Sequence, residues 1–164
     1  TPMSNMGLQI ALKKAGGKLV QAQVGDRYIV EEMKKNAYNL GGEQSGHVVF
    51  LNHGTTGDGL LAALKILAIM RRTGKPLSEL KKVMTHYPQV LENIPVRVKE
   101  DLKKFPKIQT VIKKIESALG ENGRVLVRFS GTEPLARVMV EGEDFVTIQA
   151  YAEESASAIR TQLG

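Results

Sequence analysis

The sequence predicts two units: part of a layered α/β domain over residues 1–87, then a small α+β domain with an antiparallel sheet and two helices over residues 88–164. Three observations carry this. In the first half, runs of helical periodicity alternate with short β-compatible stretches. In the second half the order reads β-α-β-β-α, which suits a small antiparallel sheet with helices over one face. Between them stands Tyr87-Pro88, a plausible boundary because the residue before a proline is pushed out of helical geometry.

From Met6 to Ala15, the residues Leu8, Ala11, Leu12 and Ala15 recur at helical spacing, and Gly16-Gly17 supplies a stop. Lys18 to Gln23 is short and β-compatible. Asp26 to Asn36 then places Ile29, Val30 and Met33 on one helical side. Tyr38 to Leu51 holds two apolar stretches around a glycine-rich turn, which predicts two short strands and a loop. Thr55-Thr56 can cap a helix from about Asp58 to Arg72, with Asp58 in its positive first turn and Arg71 and Arg72 in its negative last turn. Gly74 ends that helix, and Pro76 suits the first turn of another reaching about His86.

Beyond Pro88, Ile94, Val96 and Val98 share one strand face. Ile108, Val111, Ile112, Ile115 and Leu119 then form a helical stripe that Gly120 stops. Arg124 to Phe129 and Leu135 to Glu141 read as strands. A terminal helix is lined by Phe145, Ile148, Ala152, Ser155, Ile159 and Leu163.

The chain has 164 residues, 42% of them hydrophobic and 24% charged, which excludes intrinsic disorder. No apolar run approaches the roughly 18 residues of a membrane span, since Leu60–Met70 is interrupted by Lys65. With no cysteine there is neither a disulfide framework nor a thiolate metal site, which suits a cytoplasmic protein. Nothing at the amino end reads as a signal peptide, and a chain opening on Thr1 reads as a fragment. The net charge of +6 admits nucleic acid or a phosphorylated metabolite as partner. The lysines fall mostly in pairs on predicted helices, as solvated faces do, and 5% aromatic residues make a poor base-stacking platform, so no nucleic-acid partner is expected.

Two loops carry chemistry. Arg128-Phe129-Ser130-Gly131-Thr132-Glu133-Pro134-Leu135-Ala136-Arg137 joins two predicted strands and combines two guanidinium groups, two hydroxyls and a glycine. Arginines hold phosphate oxygens by paired charge-assisted hydrogen bonds, and a glycine lets backbone N–H groups approach an anion. A polar hairpin with both arginines solvated is the competing reading. Gly41-Gly42-Glu43-Gln44-Ser45-Gly46-His47 offers an acceptor, a hydroxyl and an imidazole that transfers protons near neutral pH, a set matching sugar hydroxyls. An alternation of period two puts Glu43, Ser45 and His47 on one side of an extended segment. The competing reading there is a tight turn with a solvated Glu and an inert His.

Together with Thr55-Thr56-Gly57-Asp58-Gly59, these two loops resemble the α-D-phosphohexomutase superfamily, and within it the phosphoglucosamine mutases. The resemblance covers essentially the whole chain: the first half looks like the superfamily's third domain with its opening strand truncated, the second like its fourth. It implies that Glu43 and Ser45 bind sugar hydroxyls and that Arg128, Ser130, Gly131, Thr132 and Arg137 hold the phosphate not being transferred. His47 would assist proton transfer. Gly25-Asp26-Arg27 falls at a further active-site loop, which implies a substrate-binding role for Arg27, while Asp26 suits a helix cap equally well.

The implied activity is an intramolecular phosphotransfer of the isomerase class, interconverting glucosamine 6-phosphate and glucosamine 1-phosphate in amino-sugar metabolism that feeds cell-wall precursors. It runs through a phosphoserine and a hexosamine bisphosphate intermediate, with Mg2+ on an Asp-Gly-Asp-x-Asp-Arg loop. Neither the serine loop nor the metal loop is in this chain. No metal ligand is therefore assigned, and the fragment alone is expected to be inactive without the N-terminal domains of the same protein. A phosphomannomutase or phosphoglucomutase fragment and a non-enzymatic anion-binding module are the alternatives, and the oligomeric state is left open.

Overall fold

Asn5 opens the first helix of the computed structural model, which describes all residues 1–164. Its side chain accepts from the Gly7 N–H at 3.0 Å, and α1 runs Met6–Lys14 before Gly16 turns the chain at a positive φ of 77°. The chain divides into two compact units, Thr1–His86 and Tyr87–Gly164.

In the first unit, α2 spans Asp26–Asn36 and buries Ile29, Val30 and Met33, the stripe read from the sequence. These pack with Val49, Ala22 and Leu51 into one small core. Val49 comes from an antiparallel hairpin of β1 (Leu40–Gly42) and β2 (Val48–Phe50). α2 lies so close to β1 that a Cβ at Gly41 would stand 2.8 Å from Ile29 Cγ2 and collide with Met33 Sδ.

Three expectations need correction here. Lys18 to Gln23 forms no strand: a strand exists only through its ladder bonds, and β1 and β2 pair only with each other. The helix α3 (Gly59–Thr73) is capped by Asp58, whose carboxylate accepts from the Leu61 N–H at 2.9 Å. Thr55 and Thr56 lie too far upstream, because a capping side chain reaches only two or three residues on. Gly74 does end α3, at a φ of 69°. After Pro76 the helix stops at one turn, α4 (Leu77–Leu80), rather than reaching His86.

The second unit has the predicted β-α-β-β-α order: β3 (Gln89–Pro95), α5 (Pro106–Leu119), β4 (Gly123–Phe129), β5 (Leu135–Gly142) and α6 (Phe145–Leu163). The sheet is antiparallel with β5 in the middle, in the order β3-β5-β4. Alternate residues of β5, namely Ala136, Val138 and Val140, meet Ile94 of β3 and Val125, Val127 and Phe129 of β4 under the two helices. Ile108 of α5 and Ile148, Ala152, Ala156 and Ile159 of α6 close this core. Val98 lies beyond β3 and is exposed, although Val96 stays buried and donates to Pro134 O at 3.0 Å. Phe145 is exposed too, since it is the first residue of α6 and precedes Ile148, the first buried position.

The same alternation turns Arg128 and Arg137 to the face away from the helices. They are direct partners in the β4–β5 register, and Asn93 of β3 continues the row beyond Arg137.

Candidate functional site

The first unit gathers a polar cluster where three stretches converge. Glu43, Ser45 and His47 do not lie on an extended strand. They occupy the β1–β2 turn, where Gly46 at a φ of 100° donates its N–H to Glu43 O at 3.1 Å. The turn still brings the three together: Ser45 Oγ lies 3.3 Å from Glu43 Oε2 and 3.3 Å from His47 Nδ1. From the start of α2, Asp26 Oδ2 approaches the same His47 Nδ1 at 3.2 Å. Gly25, at a φ of 126° that glycine alone adopts easily, donates its N–H to Glu43 Oε1 at 2.8 Å. Gly57 underlies the imidazole, for a Cβ there would stand 3.2 Å from His47 Cβ.

Arg27 is not part of this cluster. Its guanidinium pairs with Glu31 at 2.7 Å, one helical turn on, and its side chain is 84% exposed. That ion pair holds its pKa above the ordinary arginine value.

Asp26, Glu43 and His47 each offer one ligand atom, all within 4.8 Å of one another. A set with an imidazole donor suits a transition-metal ion better than Mg2+, which demands octahedral oxygen coordination. The residues of this cluster therefore do not fit the magnesium that the resemblance implies. A cavity of about 750 Å³ adjoins Glu43, Gln44 and His47. Its remaining wall is largely apolar, with Leu8, Leu12, Val20, Ile29 and Met33, alongside Lys18 and Asn39.

The second unit holds the other loop. The hairpin between β4 and β5 is closed by Ser130 N–H donating to Leu135 O at 2.8 Å, and by Glu133 N–H donating to Ser130 Oγ at 3.3 Å. Ser130 is buried, whereas Gly131 and Thr132 are exposed at the tip. Arg128 is half-buried, and its guanidinium makes no hydrogen bond or ion pair. Burial, then the facing Arg137, pulls its guanidinium pKa below the ordinary value. Arg137 donates Nη2 to Glu133 Oε2 at 2.7 Å, and its buried Nε has no partner. An anion here would meet two guanidinium groups that retain unused donors.

Two neighbours of this loop escaped the sequence reading. Lys99 donates Nζ to Ser130 O at 2.8 Å, adding a third cation. Asn93 joins the arginine row through β3. Neither carries a local signal, because both arrive by strand pairing and chain return rather than by motif. Asp26 was visible as a charge at a helix start, but its pairing with His47 depends on two separate loops meeting.

Residues 1–87 match the family model described as phosphoglucomutase/phosphomannomutase, alpha/beta/alpha domain III, and residues 91–158 match that of the phosphoglucomutase/phosphomannomutase C-terminal domain. The phosphoglucosamine mutase of Pelobacter propionicus is 59% identical over 164 residues, and the chain spans 36% of that protein's length. The solved N-acetylphosphoglucosamine mutase of Aspergillus fumigatus shares the fold at 20% identity with a TM-score of 0.80, over 97% of this chain and 37% of that one. The Aspergillus protein in complex with GlcNAc-6P and magnesium aligns at 26% identity with a TM-score of 0.54, over 65% of this chain and 22% of that one.

Proposed function

The chain belongs to the phosphoglucomutase/phosphomannomutase family, and we propose that it is the substrate-holding C-terminal part of a phosphoglucosamine mutase, its two units being the third and fourth domains of that enzyme. The whole enzyme would interconvert glucosamine 6-phosphate and glucosamine 1-phosphate in the cytoplasm, through a phosphoserine and a hexosamine bisphosphate. Magnesium would neutralise charge during the phosphoryl transfer, and the Asp26, Glu43 and His47 set does not suit it.

The observation that carries this reading is the unpaired Arg128 facing Arg137 beside an exposed Gly131-Thr132 tip. Arg128 faces Arg137 with no carboxylate of its own, a like-charge approach that costs stability, and a phosphate removes that cost while taking both guanidinium groups as donors. Ser130, Gly131 and Thr132 add hydroxyl and backbone donors. A Cβ at Gly131 would meet nothing within 4 Å, so neither packing nor a positive φ requires that glycine, whereas close approach of a phosphate does.

The first unit supplies the complementary chemistry. Glu43 and Ser45 offer oxygens to sugar hydroxyls, and His47 supplies a proton-transfer group. Recognition of phosphate by charge and of hydroxyls by a small polar set tolerates both orientations of a bisphosphate. Arg27 can bind substrate through the Nη donors that its Nε bond to Glu31 leaves free.

The test uses the full-length parent enzyme and this 164-residue chain. Turnover of glucosamine 6-phosphate is expected from the former and none from the latter. A parent that turns over glucose or mannose phosphates at comparable or higher efficiency would overturn the substrate assignment.

A further inference from the structure

His47 has two ring nitrogens in unequal surroundings. Its Nδ1 is 3.2 Å from Asp26 Oδ2 and 3.3 Å from Ser45 Oγ, while Nε2 has no partner. A carboxylate only accepts hydrogen bonds. Ser45 is also 3.3 Å from Glu43 Oε2, so its single proton is claimed by that carboxylate and its oxygen is left to accept. Both neighbours of Nδ1 are then acceptors, and a neutral imidazole satisfies them by carrying its proton there. The opposite tautomer would aim the Nδ1 lone pair at a carboxylate oxygen.

We propose that Asp26 is a positioning residue that fixes His47 in the Nδ1–H tautomer and leaves Nε2 as the proton acceptor of the site. Asp26 is not spent on capping α2, where Gly25 is the cap residue and no side chain bonds the free N–H groups. Its Oδ1 is buried without a partner. The Gly25 N–H to Glu43 bond holds the start of α2 against the β1–β2 turn, so the carboxylate and the ring keep their register.

The chemical consequence rests on the mutase reading. As a sugar hydroxyl attacks the phosphoryl group of the phosphoserine, its oxygen bonds to phosphorus and the bond from phosphorus to the serine oxygen breaks with its electron pair. The hydroxyl proton passes to Nε2, and Asp26 stabilises the imidazolium that results. A His47 with its proton on Nε2 could not accept it.

The tautomer is a property of this chain whatever it acts on, and nitrogen-15 NMR of the imidazole reads it directly. At a pH where the ring is neutral, wild-type His47 is expected to show Nδ1–H, with its signals assigned by their loss in H47N. Asp26→Ala should revert toward the Nε2–H form usual for a free imidazole, and Asp26→Asn should give a mixture, since an amide both donates and accepts. Nε2–H in the wild type, or one tautomer in all three proteins, would overturn the proposal. Once assigned, the wild-type spectrum decides without any Asp26 variant. In the full-length enzyme, D26A should lower kcat on the order of tenfold to hundredfold with little change in KM. The expected tautomers in a protein without mutase turnover would sink the proposed function and leave this inference standing.

Discussion

Arg128 and Arg137 stand directly opposite each other across β4 and β5, two like charges at one rung of the ladder. Such pairs oppose folding, by roughly 0.2–1 kcal/mol for directly facing side chains. Arg137 is partly compensated by Glu133, and Arg128 is not. Arg128→Met keeps the aliphatic length and removes the repulsion, so it should raise the melting transition of the second unit by a few tenths of a kcal/mol, and less at high salt. The same variant should lose the rise in Tm that added phosphate gives the wild type. Calorimetry with and without phosphate checks both halves, and a destabilised variant that still responds to phosphate would contradict them.

Gly131 separates fold from ligand at the loop tip. Because a Cβ there meets open space and φ is not positive, Gly131→Ala should leave the melting temperature unchanged within about 0.5 kcal/mol. Phosphate affinity should fall severalfold as the methyl obstructs the backbone donors. Titration of phosphate against the wild type and G131A measures this. Equal affinities would return the loop to an ordinary polar hairpin.

In the first unit, Gly41→Ala tests packing rather than chemistry. The added methyl would collide with Met33 and crowd Ile29, both buried on α2. Overpacking of this kind costs about 1–3 kcal/mol. Urea unfolding followed by helical circular dichroism should show the loss in the transition of the first unit only.

Much of this was legible in the sequence because it is local. The stripe Ile29, Val30 and Met33 marked α2 to the residue, and glycines 74 and 120 marked the ends of α3 and α5. The alternation of Val125, Val127 and Phe129 gave both the strand and its buried face. Lys18 to Gln23 misled because β-compatibility says nothing about whether a partner strand lies alongside. The two loops were recognisable by residue type. Their geometry was not, since the Arg128–Arg137 register, the Lys99 contact and the Asp26–His47 pair each join residues from separate elements.

Acid should weaken the second unit through Asp144. Asp144 caps α6, and hydrogen bonds from the Thr147 hydroxyl, then from the Thr147 and Val146 N–H groups, hold its carboxyl below the usual carboxylate range. The folded pKa is thus lower than the unfolded one. The stabilisation is complete above the unfolded value and fades as pH falls through the folded value. Asp144→Asn keeps a good capping side chain but cannot ionise, and it also loses the charge that favours a helix N-terminus. At neutral pH the wild type should therefore be more stable than D144N, and the two urea midpoints should converge as the solution is acidified below the ordinary carboxylate pKa. The group is fully exposed, so salt should shrink the gap. Midpoints measured across acidic and neutral pH decide it: a gap that stays constant would mean the cap acts through its shape and hydrogen bonds alone, with no contribution from its charge.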